Sequence, residues 1–314
     1  MNNELILHHY AGSPFSEKVR LVFGFKGLSW RSVDVPKIMP KPDVMALTGG
    51  YRRTPFLQVG ADIYCDTALM CRVIDTLYPE PPLYPDATTG LAEIIAQWAD
   101  TALFWSAVPF TLQPAGVAHV MAGATPETLK AFGADRAAMS PNRRRATLAD
   151  GGTEVHTYLS RLEHLLADGR PFLLGALPCI ADFSSAQSIW FIRLAPPVAT
   201  LLDAYPHISR WYARVDAFGQ GLSTAMTSAE AIAVAVASQG RYAPTTFTAE
   251  PGLSADEEVS VTPTDYAHDP VIGRLIGLSR HEVVVERKDE RAGAVHVHFP
   301  RVAFQIKPTA AAIK

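Results

Sequence analysis

The apolar positions in the first 80 residues switch between the two-residue period of a strand and the longer period of a helix. The pattern predicts a strand at 5–10, a helix at 19–25, a strand at 30–35, an interrupted helix at 37–47, strands at 56–59 and 63–65, and a helix at 66–78. Pro40 and Pro42 interrupt the second helix, and Pro55 precedes a strand where a cis peptide bond is possible. This element order is typical of a small mixed sheet covered by helices.

A cluster of prolines at positions 79, 81, 82 and 85 marks a domain boundary, and helical periodicity dominates after it. Residues 92–108 and 154–166 have helical spacing, whereas residues 115–150 have a looser pattern that includes several glycines. The basic run at 143–145 indicates a solvated face. We therefore expect a first domain at 1–80 and an all-α domain at 86–240.

The chain beyond Gly240 has a linker-like composition, followed by short alternating runs. These runs, at 259–261, 282–287 and 294–304, predict strands. We expect a small β-rich domain at 245–314 that packs on the helical domain. Its function does not follow from the pattern.

Two histidines of this region, His296 and His298, lie on the same face of a strand. With His268 or His281 they offer a set of metal ligands. Alternation along a strand favours a solvated face over a metal site. We therefore expect no metal here.

The composition limits the classes of function. The net charge of -3 gives no electrostatic case for binding nucleic acid, and no apolar run is long enough to span a membrane. The N-terminal residues lack the basic and apolar segments of a signal peptide. Cys65, Cys71 and Cys179 form no Cys-x-x-Cys pair, which argues against disulfides or zinc and fits a reducing cytoplasm.

The segment Ser13-Pro14-Phe15-Ser16 follows the first strand directly and begins the first helix. Ser13 suits the N-cap position and Pro14 the first helical position. A helix N-terminus presents free backbone N–H groups and the positive end of the helix dipole. Such a site lowers the pKa of a thiol, although the same four residues also serve as an ordinary helix cap.

Residues 4–79 resemble the thioredoxin-like domain of the cytosolic glutathione S-transferase superfamily. The resemblance rests on three marks at the spacing of the family, namely Ser13–Ser16 at a helix start, Thr54-Pro55 before a strand and Asp66-Thr67 at the next helix start. The segments 177–183 and 205–211 resemble two helix starts of the family's all-α domain, so that the likeness extends to about residue 235. The serine at position 13 is similar to the serine-type classes. The implied fold is an α/β thioredoxin-like domain, then an all-α domain, and here a small β-rich C-terminal domain.

The resemblance implies a role for several residues. Ser13 would hydrogen-bond the sulfur of glutathione and favour its thiolate, with Ser16 and Tyr10 as alternatives. The implied glutathione-binding residues are Phe15, Arg53, Thr54 (through its backbone), the cis-proline Pro55, Asp66 and Thr67. Phe104, Trp105 and Pro109 are candidate walls of a pocket for a second substrate, although aromatic residues at helical spacing also suit a core.

Three positions depart from the family pattern. Asp66 stands where glutamate is commoner, Thr54 where valine is commoner, and Cys179 where a serine or threonine usually caps a helix. The shorter Asp66 reaches the glutathione ammonium less well, and a thiol is a weak acceptor in a cap.

The implied activity is that of a glutathione transferase-like enzyme. Glutathione would be the co-substrate, its thiolate would attack an electrophilic and apolar small molecule, and the protein would be a homodimer acting in detoxification. Two alternatives stay open. One is a non-catalytic scaffold that acts through the C-terminal β-rich domain, and the other is a glutathione-dependent isomerase or lyase.

Overall fold

The computed structural model describes residues 4–141 and 146–309. Its strands are β1 (Ile6–His9), β2 (Ser29–Asp34), β3 (Phe56–Val59), β4 (Asp62–Cys65), β5 (Leu222–Ala225), β6 (Glu258–Pro263), β7 (Val271–Leu278), β8 (Glu282–Asp289), β9 (Gly293–Pro300) and β10 (Phe304–Pro308). The helices of the first domain are α1 (Pro14–Phe25), α2 (Pro42–Thr48) and α3 (Thr67–Leu77). They are followed by α4 (Thr89–Trp98), a π-helical segment (Ala99–Leu103), α5 (Phe104–Thr111), α6 (Pro114–Val120), α7 (Pro126–Met139), α8 (Leu148–Leu165), α9 (Ile180–Arg193), α10 (Pro196–Ala199), a 3₁₀ segment (Thr200–Ala204), α11 (Pro206–Asp216) and α12 (Ser228–Ala237).

The first domain has the predicted mixed sheet with helices packed against it. Strand β1 pairs parallel with β2 and antiparallel with β3, and β3 pairs antiparallel with β4. The helix expected at 37–47 is shorter, because α2 begins only at Pro42 and the Met39–Pro40 peptide bond is cis. Within the described residues, no helix combines the length and hydrophobicity needed to cross a membrane.

The C-terminal strands continue the sheet of the first domain, whereas the sequence predicted that they pack on the helical domain. One sheet of ten strands has the order β10-β6-β7-β8-β9-β4-β3-β1-β2-β5. The two parts join where β4 pairs parallel with β9. Without β9, β4 would be an edge strand with unpaired backbone groups, and the pairing satisfies them. The domain limits near 80–86 and 240–245 stay predictions.

Several elements were not expected from the sequence. Strand β5 is short and exposed, and it adds to β2 at the other edge of the sheet. Strand β7 contains Gly273 and Gly277 and was not among the predicted strands. A Cβ at Gly273 would lie 2.7 Å from the Glu286 carbonyl oxygen, so this glycine allows the close approach of β8. The strand expected at 294–304 is instead two separate strands, because β9 ends at Pro300 and pairs with β8 and β4, whereas β10 begins at Phe304 and pairs with β6.

Residues His296 and His298 are buried, with 8% and 1% of their surface exposed, which corrects the expectation of a solvated strand face. The parallel partner β4 places Asp62 opposite His296 and Tyr64 opposite His298. The sequence pattern of β9 alone did not indicate this partner.

The helical part is built around α9, of which nearly every residue is buried. Asp182 accepts hydrogen bonds from the backbone N–H of Cys179 (2.9 Å) and of Leu173 (2.8 Å) and from the indole N–H of Trp211 (2.7 Å). The carboxylate therefore supports this helix start although a thiol stands at the cap. Residues 115–150 contain α6, α7 and the start of α8, where a looser pattern was expected; the basic run at 143–145 lies outside the described residues.

Candidate functional site

A cleft of about 890 Å³ lies between the first domain and the helical part, and Ser13 is on its wall. Ser13 is the N-cap of α1, and its Oγ accepts a hydrogen bond from the Ser16 N–H at 3.3 Å. Tyr10 also lines the cleft, and its carbonyl accepts a hydrogen bond from the Ser13 N–H at 3.2 Å. Burial raises the pKa of Tyr10, so the phenol keeps its proton. Two residues that carry hydroxyl groups thus line the cleft beside a helix N-terminus.

Ser16 does not share this position. It is fully buried, its Oγ has no hydrogen-bond partner among the described residues, and it is not part of the cleft wall. The structure therefore brings Ser13 and Tyr10 together and leaves Ser16 facing the interior.

The loop before β3 lines the cleft through Arg53 and Thr54, and the Thr54–Pro55 peptide bond is cis. Arg53 is buried, and its guanidinium forms an ion pair with Asp265 and donates to the Tyr266 carbonyl. The central carbon of this guanidinium lies 3.8 Å from the centre of the Tyr266 ring. A predicted binding residue is therefore already in contact with the C-terminal region.

Asp66 has a backbone conformation that is rare for a residue with a side chain, with φ 75° and ψ 132°. It is the N-cap of α3, where one carboxylate oxygen accepts from the Ala68 N–H at 2.9 Å. Such a conformation costs on the order of 1–3 kcal/mol and is commonest at functional sites. Asp66 and the adjacent Thr67 do not contribute to the described wall of the cleft.

The Thr67 hydroxyl accepts a hydrogen bond from a buried lysine. Lys18 Nζ lies 3.3 Å from Thr67 Oγ1 and 2.6 Å from Asp100 Oδ2, and Asp100 belongs to the π-helical segment. Gln187 of α9 donates to the other oxygen of Asp100 at 2.7 Å. This network ties the start of α3 to the helical part.

One end of the cleft is rich in basic side chains. Its described wall contains the basic side chains Lys37, Lys41, Arg52, Arg53 and Arg136. Lys41 is only 2% exposed, and its Nζ donates to the Arg52 carbonyl and to Thr54 Oγ1, both at 3.1 Å. Burial, reinforced by the charge of Arg136, lowers the pKa of Lys41 to about 8. An anionic ligand would be favoured here.

Helix α7 contributes Arg136 to this wall and also a carboxylate that partly offsets the positive charge. Its Asp135 forms ion pairs with Arg52 and with Arg136, and Arg136 donates to the Lys37 carbonyl at 2.9 Å. Sequence reasoning missed Lys41, Asp135 and Arg136, since none of them belongs to a motif and the helix carrying the last two was expected to be irregular.

The other end of the cleft is aromatic and apolar. Phe104, Trp105 and Pro109 of α5 line it, and Phe15 packs on Phe104 with 4.5 Å between the ring centres. Tyr266 connects the two ends, because its ring centre lies 5.2 Å from that of Trp105 and 3.8 Å from the guanidinium carbon of Arg53. The loop that carries Tyr266 joins β6 to β7 and is also fixed by the Ala267 N–H, which donates to the Met139 carbonyl at 2.7 Å. No sequence motif marked this loop.

The chain is similar to known proteins in both of its parts. The family model for the glutathione S-transferase N-terminal domain matches residues 7–82, and that for the C-terminal domain matches residues 145–214. Comparison with curated proteins found no match.

Solved structures extend the likeness. A GST-like protein from Pseudomonas syringae is 41% identical, covers 98% of this chain and 100% of its own, and has a TM-score of 0.81. A glutathione S-transferase from Rhodospirillum rubrum F11 is 21% identical with a TM-score of 0.53, covering 68% of this chain and 87% of its own. FzlA from C. crescentus is 24% identical with a TM-score of 0.52, covering 68% and 88%. The last two show the fold alone.

The coverage of the Pseudomonas syringae protein means that the likeness extends into the C-terminal β-rich region. The two family models match in the order N-terminal domain, then C-terminal domain. The 41% identity to the Pseudomonas syringae protein, across nearly the whole chain, supports the same family. The protein belongs to the glutathione S-transferase superfamily.

Proposed function

We propose that the protein binds glutathione in the cleft and activates its thiol for attack on an electrophilic carbon of an apolar small molecule. The observation that carries this proposal is the position of Ser13, at the N-terminus of α1 and beside Tyr10, on the wall of a cleft that has both basic and aromatic side chains. Glutathione carries two carboxylates, and an apolar electrophile suits the aromatic end, so that the two ends match the two reactants.

Ser13 is the residue that we propose to act on the sulfur. Its Oγ already accepts the Ser16 N–H, so the hydroxyl proton is available for a sulfur acceptor. The dipole of α1 adds to this by favouring a negative charge at its N-terminus. Both effects lower the pKa of a bound thiol, and the thiolate is the reactive nucleophile. Tyr10 would hold Ser13 in place through its carbonyl.

The remaining polar groups would hold the tripeptide. Arg53 and Lys41 would bind carboxylate, and the Thr54 backbone would pair with the cysteinyl part of glutathione beside the cis-proline Pro55. Asp66 uses one oxygen as a helix cap and keeps the other for the γ-glutamyl ammonium, with Thr67 beside it. The strained backbone of Asp66 supports a binding role, because a cap alone does not require that conformation.

We further propose a homodimer with two such clefts, acting in the cytoplasm. Leu91 and Ile94 lie one turn apart on α4 with 52% and 66% of their surface exposed, and a partner subunit would cover them. The cysteines Cys65, Cys71 and Cys179 are buried free thiols, which suits a reducing compartment. Sedimentation of the purified chain should return twice the chain mass, and a single chain mass would reject the dimer.

Incubation with reduced glutathione and a panel of electrophiles tests the activity. The panel contains an aryl halide, an enone and an epoxide, and mass spectrometry follows the products. A conjugate formed faster than in the absence of enzyme supports the proposal. A glutathione-dependent product that contains no glutathione would reassign the protein to isomerisation or elimination, and no product with any electrophile would favour the scaffold.

A further inference from the structure

A second cluster of polar side chains is buried where β4 meets β9, apart from the cleft. Asp62, His296 and His298 each direct one ligand atom inward, and these atoms all lie within 4.8 Å of one another. His298 Nε2 lies 2.9 Å from Asp62 Oδ1, and His296 Nδ1 lies 3.7 Å from the same oxygen. None of the three residues belongs to the described wall of the cleft.

His296 Nδ1 has an unusual environment for a buried polar atom. It is inaccessible to solvent and has no hydrogen-bond partner in the part of the chain that the structure describes. Its 3.7 Å separation from Asp62 Oδ1 is too long for a hydrogen bond. Metal–ligand bonds of about 2.0–2.2 Å place neighbouring ligand atoms roughly 3–3.5 Å apart, which is close to the observed spacing. A shared cation would satisfy this nitrogen.

The outer nitrogen of each histidine faces a carboxylate, although only that of His298 is within hydrogen-bond distance of it. His298 Nδ1 lies 2.8 Å from Glu282 Oε1, and His296 Nε2 lies 3.6 Å from Glu286 Oε2. Histidines that bind a metal through one ring nitrogen usually give the other to a carboxylate or carbonyl. Asp62 is likewise held by an outer hydrogen bond. Its Oδ2 accepts the Ala243 N–H at 2.8 Å, and its Oδ1 faces the histidines.

Aromatic rings fix the orientation of both imidazoles. The ring of Tyr242 stacks on His296 with 3.7 Å between the ring centres, and that of Tyr64 packs on His298 at 4.4 Å. The three ligands are therefore held on paired strands by contacts on every side. A set of ligands held in this way has little conformational entropy to lose when a cation binds.

We propose that Asp62, His296 and His298 bind a divalent transition-metal ion of the zinc type. Two imidazoles and one carboxylate suit such an ion better than Mg²⁺ or Ca²⁺, which prefer oxygen ligands. Binding displaces the proton that His298 shares with Asp62 and releases it to solvent. Because one ligand comes from β4 and two from β9, the bound ion crosslinks the C-terminal region to the sheet of the first domain. This role is independent of the glutathione site.

The test is zinc binding to the full, untagged chain after treatment with a chelator, measured by competition with a chromophoric chelator. We expect one Zn²⁺ per chain and a higher melting temperature with Zn²⁺ but not with Mg²⁺. His296→Gln should weaken binding roughly 100-fold or more, because it removes one of the three proposed ligands. Glu282→Gln should weaken it about tenfold, the usual effect of removing an outer partner. His281→Gln, an exposed histidine of the same region, should leave binding unchanged.

Cobalt provides a second readout. Co²⁺ bound to the wild type should give visible absorption bands from imidazole and carboxylate coordination, and His296→Gln should abolish them. Absence of stoichiometric zinc binding by the wild type would overturn the proposal and leave the cluster as a buried histidine–carboxylate bridge. Binding that persists unchanged in a folded His296→Gln variant would also overturn it.

Discussion

The guanidinium of Arg53 lies 3.8 Å from the centre of the Tyr266 ring, a contact between residues 213 positions apart. It joins the loop before β3 to the loop between β6 and β7. The neighbouring Asp265 completes the contact with an ion pair to the same guanidinium. The C-terminal region therefore contributes Tyr266 to the cleft wall and offers a carboxylate to the arginine that we propose for glutathione.

The pair of Arg53 and Asp265 should compete with glutathione. Asp265 is partly exposed, and an ion pair of this kind contributes up to about 1 kcal/mol. Asp265→Asn should therefore tighten glutathione binding about two- to fivefold in a calorimetric titration. The matched variant Asp265→Glu keeps the charge and should bind as the wild type does. Weaker binding by Asp265→Asn would mean that Asp265 supports the site and does not compete for it.

The two serines at the start of α1 should behave differently. Ser13→Ala removes a hydrogen bond to a charged sulfur, worth about 1.5–3 kcal/mol, so turnover should fall about 10- to 100-fold. The ultraviolet absorbance of bound thiolate should show a higher thiol pKa in this variant. Ser16→Ala is the control, because its Oγ is buried without a described partner and should not affect turnover. Full activity of Ser13→Ala would transfer the role to Tyr10.

The affinity for glutathione should depend on the ionisation of Lys41. Burial lowers its pKa to about 8, so the side chain loses its positive charge as the pH rises through that value. S-methylglutathione, which has no free thiol, should bind more weakly at pH 9 than at pH 7. Lys41→Met should remove this step, whereas Lys37→Met, at an exposed position of the same wall, should retain it. An identical pH profile for Lys41→Met would exclude Lys41 as the titrating group.

Much of the first domain could be predicted from the sequence because its signals are local. A serine cap, a proline before a strand and an acidic residue at a helix start each act on neighbouring backbone groups, and the structure places Ser13, Pro55 and Asp66 at those positions. The short-range periodicity of strand and helix located β1 to β4 in the same way.

The rest of the cleft depends on contacts between distant segments. Arg136 and Tyr266 reach it on α7 and on the loop between β6 and β7, and neither lies in a motif. The alternation of apolar and polar residues within one strand does not indicate which strand will pair with it, so the pairing of β4 with β9 could not be predicted. For this reason the burial of His296 and His298 was also missed.

The buried pair of Lys18 and Asp100 should be essential for stability. Lys18→Met leaves Asp100 uncompensated and should lower the free energy of unfolding by about 3–5 kcal/mol. Adding Asp100→Asn should restore part of this loss, because no buried charge then remains unpaired. Arg72→Met, which breaks an exposed pair with Glu93, should cost less than about 1 kcal/mol. Urea unfolding is measured for the wild type, Lys18→Met, Asp100→Asn, the double variant and Arg72→Met, and a loss in the double variant equal to the sum of the two single losses would contradict the predicted coupling.

The central claim is that the cleft binds glutathione. Calorimetric titration of the purified chain with reduced glutathione at neutral pH tests it most directly. The account predicts saturable binding of one glutathione per chain, weakened by Arg53→Met and retained by Ser16→Ala. No binding up to millimolar concentrations would contradict it and would direct attention to the C-terminal β-rich region.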